Sequence, residues 1–153
     1  LEFRQVVGPD LMPERPAPAC PLPADVKPQG SADAQHLRVT IDATPGWQAY
    51  YRRWQRTWES NDPATLTLTD DYELATGDGV EFYWQTRLPV ELRGHIAVIT
   101  GQRGRAILEA PSAGEPWRLD GLPLLDGTQH RLTIRHPGRA GTLAIRVRME
   151  KIQ

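Results

Sequence analysis

Hydrophobic and polar residues alternate with period two along most of the chain after Gln35. "HLRVTID" sets Leu37, Val39 and Ile41 against polar partners, and "VEFYWQ" does the same with Val80, Phe82 and Trp84. "HRLTIR" offers Leu132 and Ile134, and "GTLAIRVRM" offers Leu143, Ile145, Val147 and Met149. Successive side chains of an extended strand point to opposite faces, so each run predicts a strand with one buried face. "TLTLT" and "HIAVIT" are further runs rich in β-branched residues, which fit a pleated surface. Turn segments such as "SNDP", "TGDG", "TGQRG", "SAGEP", "LLDGT" and "HPGRAG" separate them. The pattern predicts an all-β fold, an antiparallel β-sandwich of roughly 8–11 strands.

One stretch admits two periods. A helix from Trp47 to Glu59 would gather Trp47, Tyr50, Tyr51, Trp54 and Trp58 on one broad apolar face. A strand from Tyr51 or Arg52 instead puts Trp54, Arg56 and Trp58 on one side and Arg53, Gln55 and Thr57 on the other. The "SNDP" turn and the strand-like "TLTLTDDYEL" follow directly, and the number of strands elsewhere favours a hairpin. The reading is a strand after a short turn begun by Pro45, with Arg56 beside two tryptophans, where a guanidinium can stack on indole.

The first 35 residues have another texture. "EFRQVV" looks like a strand, and residues 8–35 then hold half of the 14 prolines. Proline removes a backbone donor and fixes φ, so this segment reads as a long irregular excursion (1–35) ahead of the sandwich domain (36–153). The single cysteine, Cys20, forms no intrachain disulfide. No apolar run approaches the roughly 18 residues of a membrane span, and no signal peptide is visible. The chain begins at Leu1 on a strand-like segment, which reads as a piece of a longer protein.

Charge narrows the partners. With 18 basic and 19 acidic residues, neither nucleic acid nor a membrane surface is expected. Only Lys27 and Lys151 among the basic residues are lysine, and arginine suits bidentate recognition of carboxylate or sulfate. No phosphate loop, G-x-S-x-G elbow, CxxC pair, H-E-x-x-H or EF-hand pattern occurs. His130 and His136 share a strand parity with Asp126 nearby, but the spacing matches no zinc site, so neither metal nor cofactor is expected. In "TDDYE", Asp70 and Asp71 point to opposite faces. Asp71 and Glu73 share one, and a solvated strand face is expected for them. Among the aromatics, Tyr72, Phe82, Trp84 and one of Trp54 and Trp58 read as core. Trp47, Tyr50 and Trp117, close to turn residues, read as exposed and as candidates for stacking on sugar rings. Arg146 and Arg148 project outward from the last run, and Arg131 and Arg135 from the one before. If the short "HPGRAG" connection makes those strands neighbours, the four arginines form one positive strip for an acidic polysaccharide.

From His36 to about Pro111 the chain resembles the carboxy-terminal β domain of the heparinase II/III-like polysaccharide lyases. "HLRVTIDATPGW" resembles a strand ending in an Asp. "AYYRRWQRTWE" resembles that family's strand with an Arg-Thr pair, here Arg56 and Thr57. "TLTLTDDYEL" resembles its "ITDDF" segment, and "VEFYWQTRLPVEL" the strand that follows. The resemblance covers about half of the chain and rests on order and spacing. It implies a parent that joins a helical toroid to an antiparallel β region and cleaves uronate-containing polysaccharide by β-elimination, in the periplasm or outside the cell. The family's catalytic groups lie mainly in the toroid and the adjoining sheet, so no catalytic residue is carried over. The implied role is an accessory brace without activity of its own, with the toroid and sheet of the parent chain as partner. The rival reading is a free-standing carbohydrate-binding or adhesive β-sandwich.

Overall fold

A computed structural model of the chain describes residues 26–112 and 114–152. The "EFRQVV" run, Cys20 and most of the proline-rich stretch lie outside these residues. Eleven strands follow in chain order: β1 (Gln29–Ala32), β2 (Leu37–Asp42), β3 (Tyr51–Ser60), β4 (Thr65–Leu74), β5 (Gly79–Thr86), β6 (Val90–Arg93), β7 (Ile96–Thr100), β8 (Gly104–Glu109), β9 (Arg118–Leu124), β10 (Gly127–Pro137) and β11 (Ala140–Lys151). The helical content of the described residues is one 3₁₀ turn, Thr44–Gly46, begun by Pro45 as expected.

The strands form two antiparallel sheets. The large one has the order β1-β2-β3-β4-β11-β8-β7-β6, and the small one β5-β10-β9. This is the sandwich that the alternation predicts, and "YYRRWQRTWE" is a strand. β3 and β4 make the expected hairpin, with Trp58 opposite Leu68 and Trp54 opposite Tyr72. Its turn is pinned by Asp62, whose carboxylate accepts the Ala64 N–H and the Thr65 hydroxyl proton. β1 falls within the stretch read as irregular. It starts just after Pro28 and pairs only with β2, the edge position that a proline-rich approach permits.

Leu68, Tyr72 and Leu74 of β4 pack with Leu143, Ile145 and Val147 of β11 on the inner face of the large sheet. Val80, Phe82, Leu132 and Ile134 close the core from the small sheet. Three strands cannot roof eight. The margin left open includes β2 and β3, where Leu37, Val39, Ile41, Trp54 and Trp58 stay half-buried. At another opening Met149 is 55% exposed although its parity matches that of Val147. Trp84 is only partly buried there, over an apolar cleft shared with Leu66, Leu88 and Met149.

β10 and β11 are not neighbours. β10 bonds to β5 and β9, whereas β11 bonds to β4 and β8. The two-residue link between them is an arch from one sheet to the other. Gly138, at φ 108°, allows the bend. Its N–H goes to the Asp78 carbonyl at 2.7 Å, and the Arg139 carbonyl accepts the Leu74 N–H at 2.6 Å. The backbone groups that would close a hairpin are spent on the neighbouring β4–β5 crossing.

Candidate functional site

The register of β3 on β4 sets one charge against another on the inner face. Arg56 lies opposite Asp70, in a row that runs from Ile41 on β2 to Leu143 on β11. Its Nε donates to Asp70 Oδ1 at 2.6 Å and its Nη2 to Oδ2 at 2.7 Å. The Trp54 indole N–H also donates to Oδ1, at 2.9 Å. Asp70 is 5% exposed. A carboxylate so placed needs charge-assisted partners, and it has three. The guanidinium is 5.3 Å from the centre of the Trp54 ring and 5.7 Å from that of Phe82.

Above this pair the aromatics are ordered by the loop from β2 to β3. Asp42 Oδ1 accepts the Thr44 N–H at 3.0 Å, and the Thr44 hydroxyl accepts the Trp54 N–H at 2.8 Å. The Trp47 carbonyl takes the N–H groups of Tyr50 and Tyr51, both at 2.9 Å. The loop is thereby tied to β3. Trp47 stands edge-on to Trp54, with 5.7 Å between centroids, and Tyr51 stacks on Trp54 at 4.9 Å. On the opposite side β5 supplies Val80 and Phe82, and the strand passes through Glu81 and Tyr83, whose side chains alternate to the outer face. These groups enclose a cleft of about 380 Å³ that opens between the sheets.

Burial, reinforced by the negative charge of Asp70, raises the Tyr51 phenol above its ordinary value of 10.0, while Arg56 opposes the shift. Burial also raises Tyr72, whose hydroxyl bonds His136 Nδ1 at 2.7 Å. A hydrogen bond to Glu81 is the main cause of the raised Tyr83 phenol. The folded chain holds these protons more tightly than the unfolded chain does. Their contribution is therefore complete below the ordinary tyrosine value and is lost as pH rises through the raised folded values. Thermal melts at rising alkaline pH are expected to show a midpoint that drops above about pH 10, with a smaller drop in Tyr51→Phe. A midpoint indifferent to pH there contradicts this.

The residues singled out from sequence divide. Trp47 is 50% and Tyr50 58% exposed; their rings are 6.4 Å apart, and Trp47 lines the cleft while Tyr50 stands outside it. Trp117 is buried at 4%, contrary to expectation. Its indole N–H reaches the His95 carbonyl at 3.1 Å, and its ring meets Phe82 edge-on. The four arginines do not form one strip, because their strands belong to different sheets. Arg131 lies over the Tyr83 ring at 5.6 Å, and Arg135 pairs with Asp78 at 2.9 Å and Glu115 at 3.4 Å. Arg148 pairs with Glu150 and Glu109, and Arg146 is exposed. His136 is engaged by Tyr72 and Asp126 by Arg87. Among the described residues no group of three or more His, Cys, Asp or Glu is placed to hold a metal. Asp71 and Glu73 occupy the outer face, where Arg53 and Arg52 bond them.

The Arg56–Asp70 pair went unnoticed as a pair, although its signal was in the pattern. Asp70 occupies the apolar phase of β4, between Leu68 and Tyr72, and Arg56 the apolar phase of β3, between Trp54 and Trp58. Two lone opposite charges in the buried phases of a hairpin satisfy each other only if they face across it.

No family profile and no curated protein matches the sequence. Solved structures do match the fold. The heparan sulfate lyase HepC from Pedobacter heparinus superposes with a TM-score of 0.66 at 8% identity, over 82% of this chain and 22% of that one. A heparinase III gene product gives 0.60 at 6% identity over 81% and 21%, and another heparinase III structure 0.57 at 13% over 82% and 21%. The chain spans about a fifth of the length of these structures. Its fold is that of a β domain found in heparinase III and HepC structures.

Proposed function

We propose that the chain is the carboxy-terminal β-sandwich of a heparinase II/III-like polysaccharide lyase that cleaves uronate-containing polysaccharide by β-elimination, and that the domain itself is an inert brace. The observation that carries this reading is the superposition of both sheets, over 82% of the chain, on about a fifth of a heparan sulfate lyase. The chemistry of the cleft supports the accessory role. β-Elimination needs a base for the proton α to the carboxylate and a group that neutralises the enolate. No histidine lines the cleft. Tyr51 is held in its protonated form by burial, and two Arg56 nitrogens are committed to Asp70.

The test is the ultraviolet absorbance of newly formed unsaturated uronate. The isolated chain is expected to give no rise on heparin, heparan sulfate, alginate or hyaluronan. The parent protein gives one, and it melts at a lower temperature when residues 36–153 are deleted. An enzyme-dependent rise from the isolated chain that survives repurification ends the accessory reading. A parent protein inactive on every such polymer ends the lyase reading.

A further inference from the structure

We infer that the cleft between Trp47 and β5 is a binding subsite for one neutral pyranose ring. The inference stands on the cleft alone and holds whether or not the chain comes from a lyase. Three features point the same way.

The first is the mouth. Trp47 is 50% exposed on one side of the cleft. Trp47 is held there by a turn that its own backbone and Thr44 lock to β3. A large aromatic fixed in water at an opening is a flat apolar surface without a partner, and its electron-rich face complements the C–H face of a sugar ring.

The second is the floor. Asp70 takes two of the five N–H donors of Arg56. Among the described residues nothing accepts from Nη1, and the side chain keeps 26% of its surface exposed. The guanidinium cannot swing, because Asp70 holds it from one side while Trp54 and Phe82 flank it. It offers fixed donors to ring hydroxyls without paying for its own ordering on binding.

The third is the charge, which selects the class of ligand. Arg56 is already neutralised by a buried carboxylate. Glu81 and Tyr83 turn away from the cleft: Glu81 accepts from the Tyr83 hydroxyl and from Arg118 of β9, and the Tyr83 ring lies beside Arg131 of β10. A carboxylate-bearing ring would approach the Asp70 carboxylate with no uncommitted cation among the lining residues. A neutral ring meets the free N–H donors of Arg56 without that repulsion. The volume of about 380 Å³ sits near the lower end of the ~300–1,000 Å³ spanned by ligand pockets, which suits one ring and not an oligomer.

The matched probes are methyl β-D-glucopyranoside and methyl β-D-glucuronide, which differ at one carbon. Titrated into the ¹⁵N-labelled 153-residue chain, the neutral glycoside is expected to shift the indole signals of Trp47 and Trp54 and the Arg56 Nε–H signal saturably. A single small ring held this way gives a Kd of about 1–10 mM. Raising ionic strength from about 0.02 to 0.3 M changes that value less than twofold, because no net charge is paired on binding. Trp47→Ala, at a half-exposed position that leaves the core intact, weakens binding at least about tenfold, whereas Tyr83→Ala, on the outer face, leaves it unchanged. The glucuronide binds at least about fivefold more weakly than its neutral twin. The inference fails if the neutral glycoside does not saturate these signals by about 0.1 M. It fails equally if the glucuronide binds more tightly in a salt-sensitive way, or if Trp47→Ala binds like the wild type.

Discussion

Asp70→Ala is expected to lower the stability of the domain by about 3 kcal/mol, the low end of the ~3–5 kcal/mol seen when one partner of a buried ion pair is removed. The low end applies because the Arg56 side chain is 26% exposed and water can reach its outer nitrogen. The loss has two parts. Arg56 becomes an uncompensated cation between Trp54 and Phe82, and the Trp54 indole N–H loses the acceptor it now has at 2.9 Å. At roughly 2–4 °C per kcal/mol for a chain of this size, the thermal midpoint drops by about 6–12 °C. Arg56→Met combined with Asp70→Leu is expected to recover most of it, since apolar side chains of similar volume can replace a buried pair at little or no cost. Calorimetry on the three proteins decides the matter. An Asp70→Ala midpoint equal to wild type would mean that the pair is solvated and fixes nothing.

Trp117→Ala is expected to cost as much or more, about 3–5 kcal/mol, the range for deleting a large aromatic from a core. Trp117 is 4% exposed and is delivered by the segment between β8 and β9, which crosses from the large sheet to the small one. Two bonds fasten the segment to the β6–β7 turn: the Trp117 N–H to the Gly94 carbonyl at 3.2 Å, and the indole N–H to the His95 carbonyl at 3.1 Å. Truncation removes the second bond, opens a cavity beside Phe82 and frees the entry to β9. In urea the unfolding midpoint shifts while the slope stays the same, which marks a change of stability and not of compactness. Trp117→Phe, which keeps part of the volume but not the donor, falls between the two. An unshifted midpoint for the alanine variant contradicts the burial.

Neither variant sits at a residue whose burial the sequence made legible. Period-two alternation states which side chains of a strand are buried, and on β5 and β11 it did so correctly for Phe82 and Ile145. It is silent on which strand lies alongside. The inner faces of β10 and β11 alternate as a hairpin's would, yet they meet core to core across the sandwich, because the link at Gly138 turns through the layers. Local chemistry could not show this, since the bonds that fix the arch go to Asp78 and Leu74, some 60 residues away. Trp117 misled for a related reason. Turn-forming neighbours imply a loop, and loops usually lie at the surface, but a loop that crosses between sheets must pass the core. The cleft was half visible. Arg56 beside tryptophan followed from parity alone, whereas its partner Asp70 was hidden among acids whose neighbours do face solvent.

The place of β11 in the large sheet bears on how the domain is made. It is the last strand of the chain and it sits at the centre, with β4 on one side and β8 on the other. Through their other neighbours, β1–β4 and β6–β8 form two separate blocks that share no ladder until β11 arrives between them. As the chain leaves the ribosome, the β3–β4 and β7–β8 hairpins can form early, but the sheet cannot join before Lys151 has emerged. Contacts that span so much sequence close slowly, on the millisecond-to-second scale of non-local β folds. Until then Leu68 on one block and Leu108 on the other expose the ladders and apolar faces that β11 will cover. Shortening the chain within β11 would therefore leave two open sheets with bare edges, and insoluble protein, in place of a slightly weakened domain.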